Sequence, residues 1–162
     1  MKKTSLRFAH LFAGFALVAL STGALTGCQP EGCTDPMSDN YDPKAKKNDG
    51  SCVPWRDKFI ASYSGINGCA GSANQDVSIL ITESGTTEDG VVITVSGSGM
   101  VFTATVSTKT GLTIPDQQIN YQGGTVNISG SGSLKNETEL TLDYELVSGP
   151  LTVPCSVTGN QL

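Results

Sequence analysis

From Val77 to Val157, apolar residues recur at alternate positions, and that period of two constrains the fold more than any other feature of the chain. Val77, Ile79 and Ile81 share one phase; Val91, Ile93 and Val95 share another. Phe102, Ala104 and Val106 oppose Val101, Thr103 and Thr105, and Val126 and Ile128 alternate with Thr125, Asn127 and Ser129. The clearest run is Leu140, Leu142, Tyr144 and Leu146 against Thr141, Asp143 and Glu145. Leu151, Val153, Cys155 and Val157 share a phase that puts Cys155 on the core side. The pattern predicts eight strands, at 58–64, 76–83, 90–96, 100–108, 111–119, 124–134, 138–148 and 151–158. Glu88-Asp89-Gly90 and Lys109-Thr110-Gly111 read as hairpin connections. The Ser-Gly pairs at 96–99 and 129–132 read as bulges or sharp bends. The expected architecture is an all-β antiparallel meander, either an up-and-down barrel or a two-sheet sandwich. Pro154 cannot donate to a ladder, so the last strand is expected to be an edge or bulged, with incomplete closure. Trp55 and Phe59, four apart after Pro54, allow one helical turn before the first strand.

A domain of this length can hold one small core, here mainly Val, Ile and Leu. Cysteine then matters. The five are Cys28, Cys33, Cys52, Cys69 and Cys155. If Cys28 is used otherwise, the remaining four allow three connectivities. The preferred pairing is Cys33–Cys52, which brackets one compact segment, and Cys69–Cys155, which ties the two ends of the β domain. A four-thiolate zinc site is the alternative, but the chain has no Cys-x-x-Cys pair.

The chain begins with Lys2, Lys3 and Arg7, then an apolar run from Phe8 to Leu20, then small residues before Cys28. That order is the layout of a secretory signal. The run is shorter than the roughly 20 residues a bilayer span needs. Leu25-Thr26-Gly27-Cys28 resembles a lipobox, the cleavage motif of bacterial lipoproteins. The resemblance implies that residues 1–27 are a lipoprotein signal peptide and that Cys28 becomes an acylated N-terminus, anchoring the protein to a membrane through its acyl chains. The expected location is the cell envelope, at the outer membrane, on its periplasmic or surface face. Gln29-Pro30-Glu31 is similar to the export tag of some Bacteroidetes surface lipoproteins.

Residues 28–53 form a second unit, poor in apolar residues and rich in turn signals, with Asp-Pro twice and Asp-Gly once. Gly32-Cys33-Thr34-Asp35-Pro36, Asn40-Tyr41-Asp42-Pro43 and Asp49-Gly50-Ser51-Cys52 resemble a Cys-bracketed repeat of secreted and surface proteins of marine Bacteroidetes. Ser38 departs mildly from that pattern, where a residue such as Ala is usual. The resemblance implies a disulfide between Cys33 and Cys52. Asp35, Asp39, Asn40, Asp42 and Asp49 are oxygen ligands of the kind calcium takes, although their spacing is not that of an EF-hand. The competing use of the same side chains is to cap turns. Residues 54–162 form the β domain. Its Phe59, Tyr63, Cys69 and Cys155 resemble marker positions of small lipocalin-like domains in Bacteroidetes lipoproteins, which implies fold and compartment more than activity.

Charge and histidine narrow the function. Fifteen acids face ten bases, and three of those bases lie within residues 1–27, so residues 28–162 carry a net charge of −8. Such a chain is a poor nucleic-acid binder. The single His, His10, lies in the signal, so the mature chain has no Ser-His-Asp, Cys-His or His-metal chemistry. Asp116, Asp143 and Glu145 are the interior candidates for paired carboxylates, and a hydrolase built on them is the remote reading. The expectation is a non-enzymatic structural or adhesive module contacting a protein or glycan, with Tyr121, Gln117, Gln118, Asn120 and Gln122 as the exposed polar-aromatic patch. The alternative is a lipocalin-like binder of a small apolar ligand inside the barrel.

Overall fold

A computed structural model describes residues 29–162. Residues 1–27, expected to be a signal peptide, and Cys28 lie outside the described residues. Among the described residues, no helix is long and apolar enough to cross a membrane.

The small N-terminal module holds two short parallel strands, β1 (Glu31–Gly32) and β2 (Lys47–Asn48). The Cys33–Cys52 disulfide closes it. A 3-10 helix, Trp55–Lys58, follows Pro54. Then come eight strands: β3 (Ser62–Cys69), β4 (Gln75–Glu83), β5 (Gly90–Val95), β6 (Met100–Thr108), β7 (Gly111–Tyr121), β8 (Gly124–Lys135), β9 (Glu139–Ser148) and β10 (Leu151–Gln161). They form one antiparallel meander that closes into a barrel when β10 pairs with β3. The alternation seen in the sequence faces inward, except that Leu151, expected on the core side, is 60% exposed where β10 begins at the barrel mouth. Ile79, Ile81, Val91, Ile93, Val95, Ile128, Leu140, Leu142 and Val157 are fully buried, and Met100, Phe102, Ala104 and Tyr144 pack with them. Eight strands leave an interior just wide enough for side chains to fill, and these side chains occupy it.

Three expectations need correction. The barrel is closed, although Pro154 pointed to an open edge. The Pro154 carbonyl accepts from Ala70 N–H on the β3 side, at 3.0 Å. Its missing N–H therefore also faces β3, at a level where the β3–β10 ladder has already ended with Cys69 opposite Cys155. The proline removes no donor from the β9–β10 ladder, which runs unbroken through Pro154 opposite Glu145.

The first strand begins at Ser62, not 58. Trp55 and Phe59 belong to the helical turn, and Phe59 is driven fully into the barrel end as a plug. The strand itself, with Ser64, Gly65, Asn67 and Gly68, has too few apolar residues to show its alternation.

Finally, residues 129–132 do not break β8. The bulge lies on the facing strand, where Pro115 and Asp116 of β7 are inserted between Ile114 opposite Gly130 and Gln117 opposite Ile128. Gly130 instead permits close strand approach: a Cβ there would run into the backbone of Asp143 and Tyr144 on β9.

Candidate functional site

Meander topology sorts the loops onto two ends. The proximal end carries the 3-10 helix and the loops 84–89, 109–110 and 136–138. The distal end carries 70–74, 96–99, 122–123 and 149–150.

At the proximal end several charges are paired. Lys58 pairs with Asp39 of the module at 2.6 Å and with Glu137 at 2.9 Å, and Lys109 also reaches Asp39 at 3.0 Å. Arg56 bonds the Glu88 carbonyl and contacts Glu83. These pairs seat the module on the proximal loops. The hydrogen bond and charge of Lys58 hold the Asp39 carboxyl below the usual carboxylate range, against some desolvation, and Asp39 in turn raises the Lys58 ammonium. Tyr63 donates its hydroxyl to the Phe59 carbonyl at 3.1 Å, locking the plug, and burial pushes that phenol up to about 12.

The distal loops read Ala70-Gly71-Ser72-Ala73-Asn74, Ser96-Gly97-Ser98-Gly99, Gln122-Gly123 and Gly149-Pro150, without one charged residue. Two hollows adjoin here. One, of ≈ 290 Å³, is walled by Tyr121, Val126, Leu146, Leu151 and Val153. The other, of ≈ 80 Å³, reaches down to Asn67 and Gln75. Tyr121, Gln122, Cys69 and Ser72 line both. The Cys69–Cys155 disulfide staples the β3–β10 seam beside them.

The floor is a buried polar pair. Tyr144 donates its hydroxyl to Asn67 Oδ1 at 3.1 Å, and both residues are buried. Burial, with the nearby Tyr121 phenol, pushes the Tyr144 phenol up to about 12. Gln122 sits in the left-handed region at φ 50, followed by Gly123 at φ 80, as a two-residue hairpin turn requires. Its Nε2 donates to Tyr121 Oη at 3.1 Å, orienting the ring over the mouth.

The sequence-derived patch is thus divided. Tyr121 and Gln122 reach the mouth. Gln117 is pinned over the bulge, its Oε1 accepting from Thr103 N and Oγ1 and its Nε2 donating to the carbonyls of Thr103 and Pro115. Gln118 and Asn120 face outward. Sequence reasoning missed Asn67, the one buried polar side chain of the barrel strands. Its signal was faint: an Asn in phase with Tyr63 and Cys69 on one strand.

The disulfides pair as expected, Cys33 with Cys52 and Cys69 with Cys155. The oxygen ligands weighed for calcium do not converge. Asp35 accepts from Met37 N and Ser38 Oγ, Asp42 from Lys44 N, and Asp49 from Ser51 N. Asn40 bridges Ser51 O and Val53 N, while Asp39 is turned to Lys58 and Lys109. These are turn and ion-pair uses. Among the described residues, no three His, Cys, Asp or Glu side chains group to hold a metal.

Asp143 and Glu145 line a broad groove of ≈ 580 Å³ on the outer wall, with Ser129, Pro154 and Ser156. Both face solvent, and Asp143 accepts from Ser156 Oγ at 2.7 Å. Asp116 stands apart from them on the β7 bulge.

No family model matches the chain. Short stretches match chloroplastic ribulose bisphosphate carboxylase/oxygenase activases: 71% identity over 24 residues with that of Larrea tridentata and 62% over 24 residues with that of Arabidopsis thaliana. Each match spans 15% of this chain and 5% of the relative. Among solved structures, the chain is similar to EF1p2_mFAP2b bound to DFHBI, with a TM-score of 0.51 and 14% identity over 65% of this chain and 95% of that one. It is also similar to the redesigned β-barrel b11L5F_LGL, with a TM-score of 0.51 and 11% identity over 66% and 94% of the two chains. A provisionally named outer membrane protein of Bacteroides fragilis aligns with a TM-score of 0.43 and 17% identity, over 68% of this chain and 54% of that one. At these identities the likeness to the two barrels with the higher scores is a likeness of fold, the closed antiparallel barrel described above.

Proposed function

We propose that the protein is a lipid-anchored cell-envelope lipoprotein of non-enzymatic type, and that its barrel presents the distal end to a protein or glycan partner. One observation carries this reading. The Cys-bracketed module next to Cys28 is seated on the proximal loops, and the uncharged mouth opens at the other end. An acyl anchor at Cys28 then leaves the mouth pointing away from the membrane. The lumen is occupied by Met100, Phe102, Tyr144 and their neighbours, so contact at the mouth suits this barrel better than an apolar ligand held deep within it.

The test is the intact mass of the protein purified from its native membrane, with and without reduction, together with surface labelling of whole cells. The reading requires residues 28–162 plus acyl chains, less the hydrogens lost to two disulfides, and labelling of a cysteine placed at Ser98 in the distal loop. A mass that retains residues 1–27, or release of the protein by a salt wash, overturns the anchor. Lack of labelling on both the outer and the periplasmic face overturns the orientation.

A further inference from the structure

We infer that the distal mouth is a binding site for a single neutral sugar ring, such as the exposed end of a glycan. The inference rests on the orientation proposed above and adds the chemistry of the ligand.

Asn67 is the starting point. It is 7% exposed, and its Oδ1 is taken by the Tyr144 hydroxyl. Its Nδ2 makes no hydrogen bond to any described residue and is open to solvent, and Asn67 lines the deeper hollow. An amide N–H at the floor of a hollow, bonded only to solvent, is a donor that a ligand oxygen can take over, and sealing it off unpaired would be costly. An apolar ligand seated over it would seal that donor off without a partner. A ligand bearing oxygen would satisfy it.

The walls restrict the ligand further. No Lys, Arg, Asp or Glu lines either hollow, so an anion or a cation would lose its water without gaining a counter-charge. What remains is a neutral polar ring. Gln122 and Gln75 add amides that both donate and accept, which suits hydroxyl groups that do the same. Tyr121 offers an aromatic face, and a pyranose has an apolar C–H face to lay against it. Val126, Leu146 and Val153 provide the apolar side. The main hollow, ≈ 290 Å³, lies just below the range of about 300–1,000 Å³ typical of small-molecule sites, and suits one ring rather than a lipid chain.

The turn at the mouth fixes the aromatic. Gln122 occupies a left-handed position that Gly or Asn would take with less strain, and its side chain holds the Tyr121 hydroxyl.

The experiment is titration of the full acylated chain, in a detergent without a sugar headgroup, followed by amide side-chain NMR. The probes are methyl glycosides of glucose, galactose, mannose and N-acetylglucosamine, with glucuronate and cyclohexanol as charged and apolar controls. At least one neutral glycoside should shift the Asn67 and Gln122 side-chain resonances saturably, in the millimolar range. Tyr121→Ala should weaken that binding about tenfold or more, as loss of one aromatic contact implies. Gln118→Ala on the outer wall should leave it unchanged. Asn67→Leu should abolish binding; if that variant does not fold, Gln122→Gly, which frees the ring, should still weaken it. No shift with any neutral glycoside, tighter binding of cyclohexanol, or binding unaffected by Tyr121→Ala would overturn the inference. If the chain is acylated and surface-labelled but binds no sugar, this inference alone fails.

Discussion

The two ends of the barrel solve the same closure problem with opposite chemistry. The proximal end is shut by packing and charge: Phe59 fills it, Tyr63 fastens the plug, and Lys58 ties the module and the Asn136-Glu137 turn together. The distal end is held by a covalent staple at its seam and is otherwise open, small and neutral. Each end even has its own buried tyrosine. Tyr63 donates to a backbone carbonyl that has no ligand role, whereas Tyr144 donates to a side chain with a donor to spare. Each end also has a turn with a non-glycine residue at positive φ. Glu137 uses its position to reach Lys58, and Gln122 to reach Tyr121. The difference teaches that one barrel can shut one end by packing and ion pairs and leave the other open and neutral behind a covalent staple.

The largest test of this contrast is the distal staple. Replacing Cys69 and Cys155 by Ser removes a link across 86 residues and should cost about 4–5 kcal/mol in thermal or denaturant unfolding. Replacing Cys33 and Cys52, 19 apart, should loosen the module and leave the main barrel transition nearly in place. If both pairs shift the barrel transition equally, the module is part of the barrel's cooperative unit and the contrast between the ends weakens. Next is the proximal plug. Phe59→Ala should cost about 3–4 kcal/mol, as truncation of a fully buried aromatic does, while distal side-chain resonances stay put.

Alkali should act on both ends together. The folded phenols of Tyr63 and Tyr144 titrate at about 12 rather than 10. The unfolded chain therefore loses those protons first, and stability should fall from about pH 10 to about pH 12 and level off above that. Tyr63→Phe should remove the proximal share of that fall and Tyr144→Phe the distal share, as read in denaturant titrations across that window.

The proximal ion cluster should matter less. Lys58→Ala should cost at most about 1 kcal/mol, since its partners are partly solvated. The Asp39 contribution is present above the ordinary carboxylate pKa and is lost as pH falls through the lowered one; the Lys58 contribution is present below its ordinary pKa and is lost as pH rises through the raised one. Module docking, followed by hydrogen exchange at residues 38–42, should therefore weaken at both extremes and in high salt. Smallest is the turn comparison. Gln122→Gly should stabilise by up to about 1 kcal/mol by relieving left-handed strain. Glu137→Gly should gain less, because it also gives up the Lys58 pair. Equal gains would mean that the pair contributes nothing.

Much of this was legible in the sequence, and what was not had physical causes. The inward residues of β4, β5, β6, β9 and β10 were readable because each strand exposes one face to solvent and buries the other, which writes a period of two directly into the chain. β3 was placed too early because its glycines, serines and Asn67 carry little hydropathy contrast. The site was half visible: Tyr121 and Gln122 announced themselves as a polar-aromatic turn. Gln117 looked equivalent but is consumed by a bulge that no local pattern reveals.

By itself, the amino-acid sequence determined the β class, the eight strands of the barrel and the separation of a turn-rich module from an alternating domain. All of these follow from local composition and spacing. Only the tertiary structure decided that the sheet closes past Pro154, that Asn67 meets Tyr144 across 77 positions, and that every distal loop is neutral while the proximal loops are charged. Closure, long-range pairing and the sorting of loops depend on register between strands distant in sequence, and neighbouring residues carry no trace of that register.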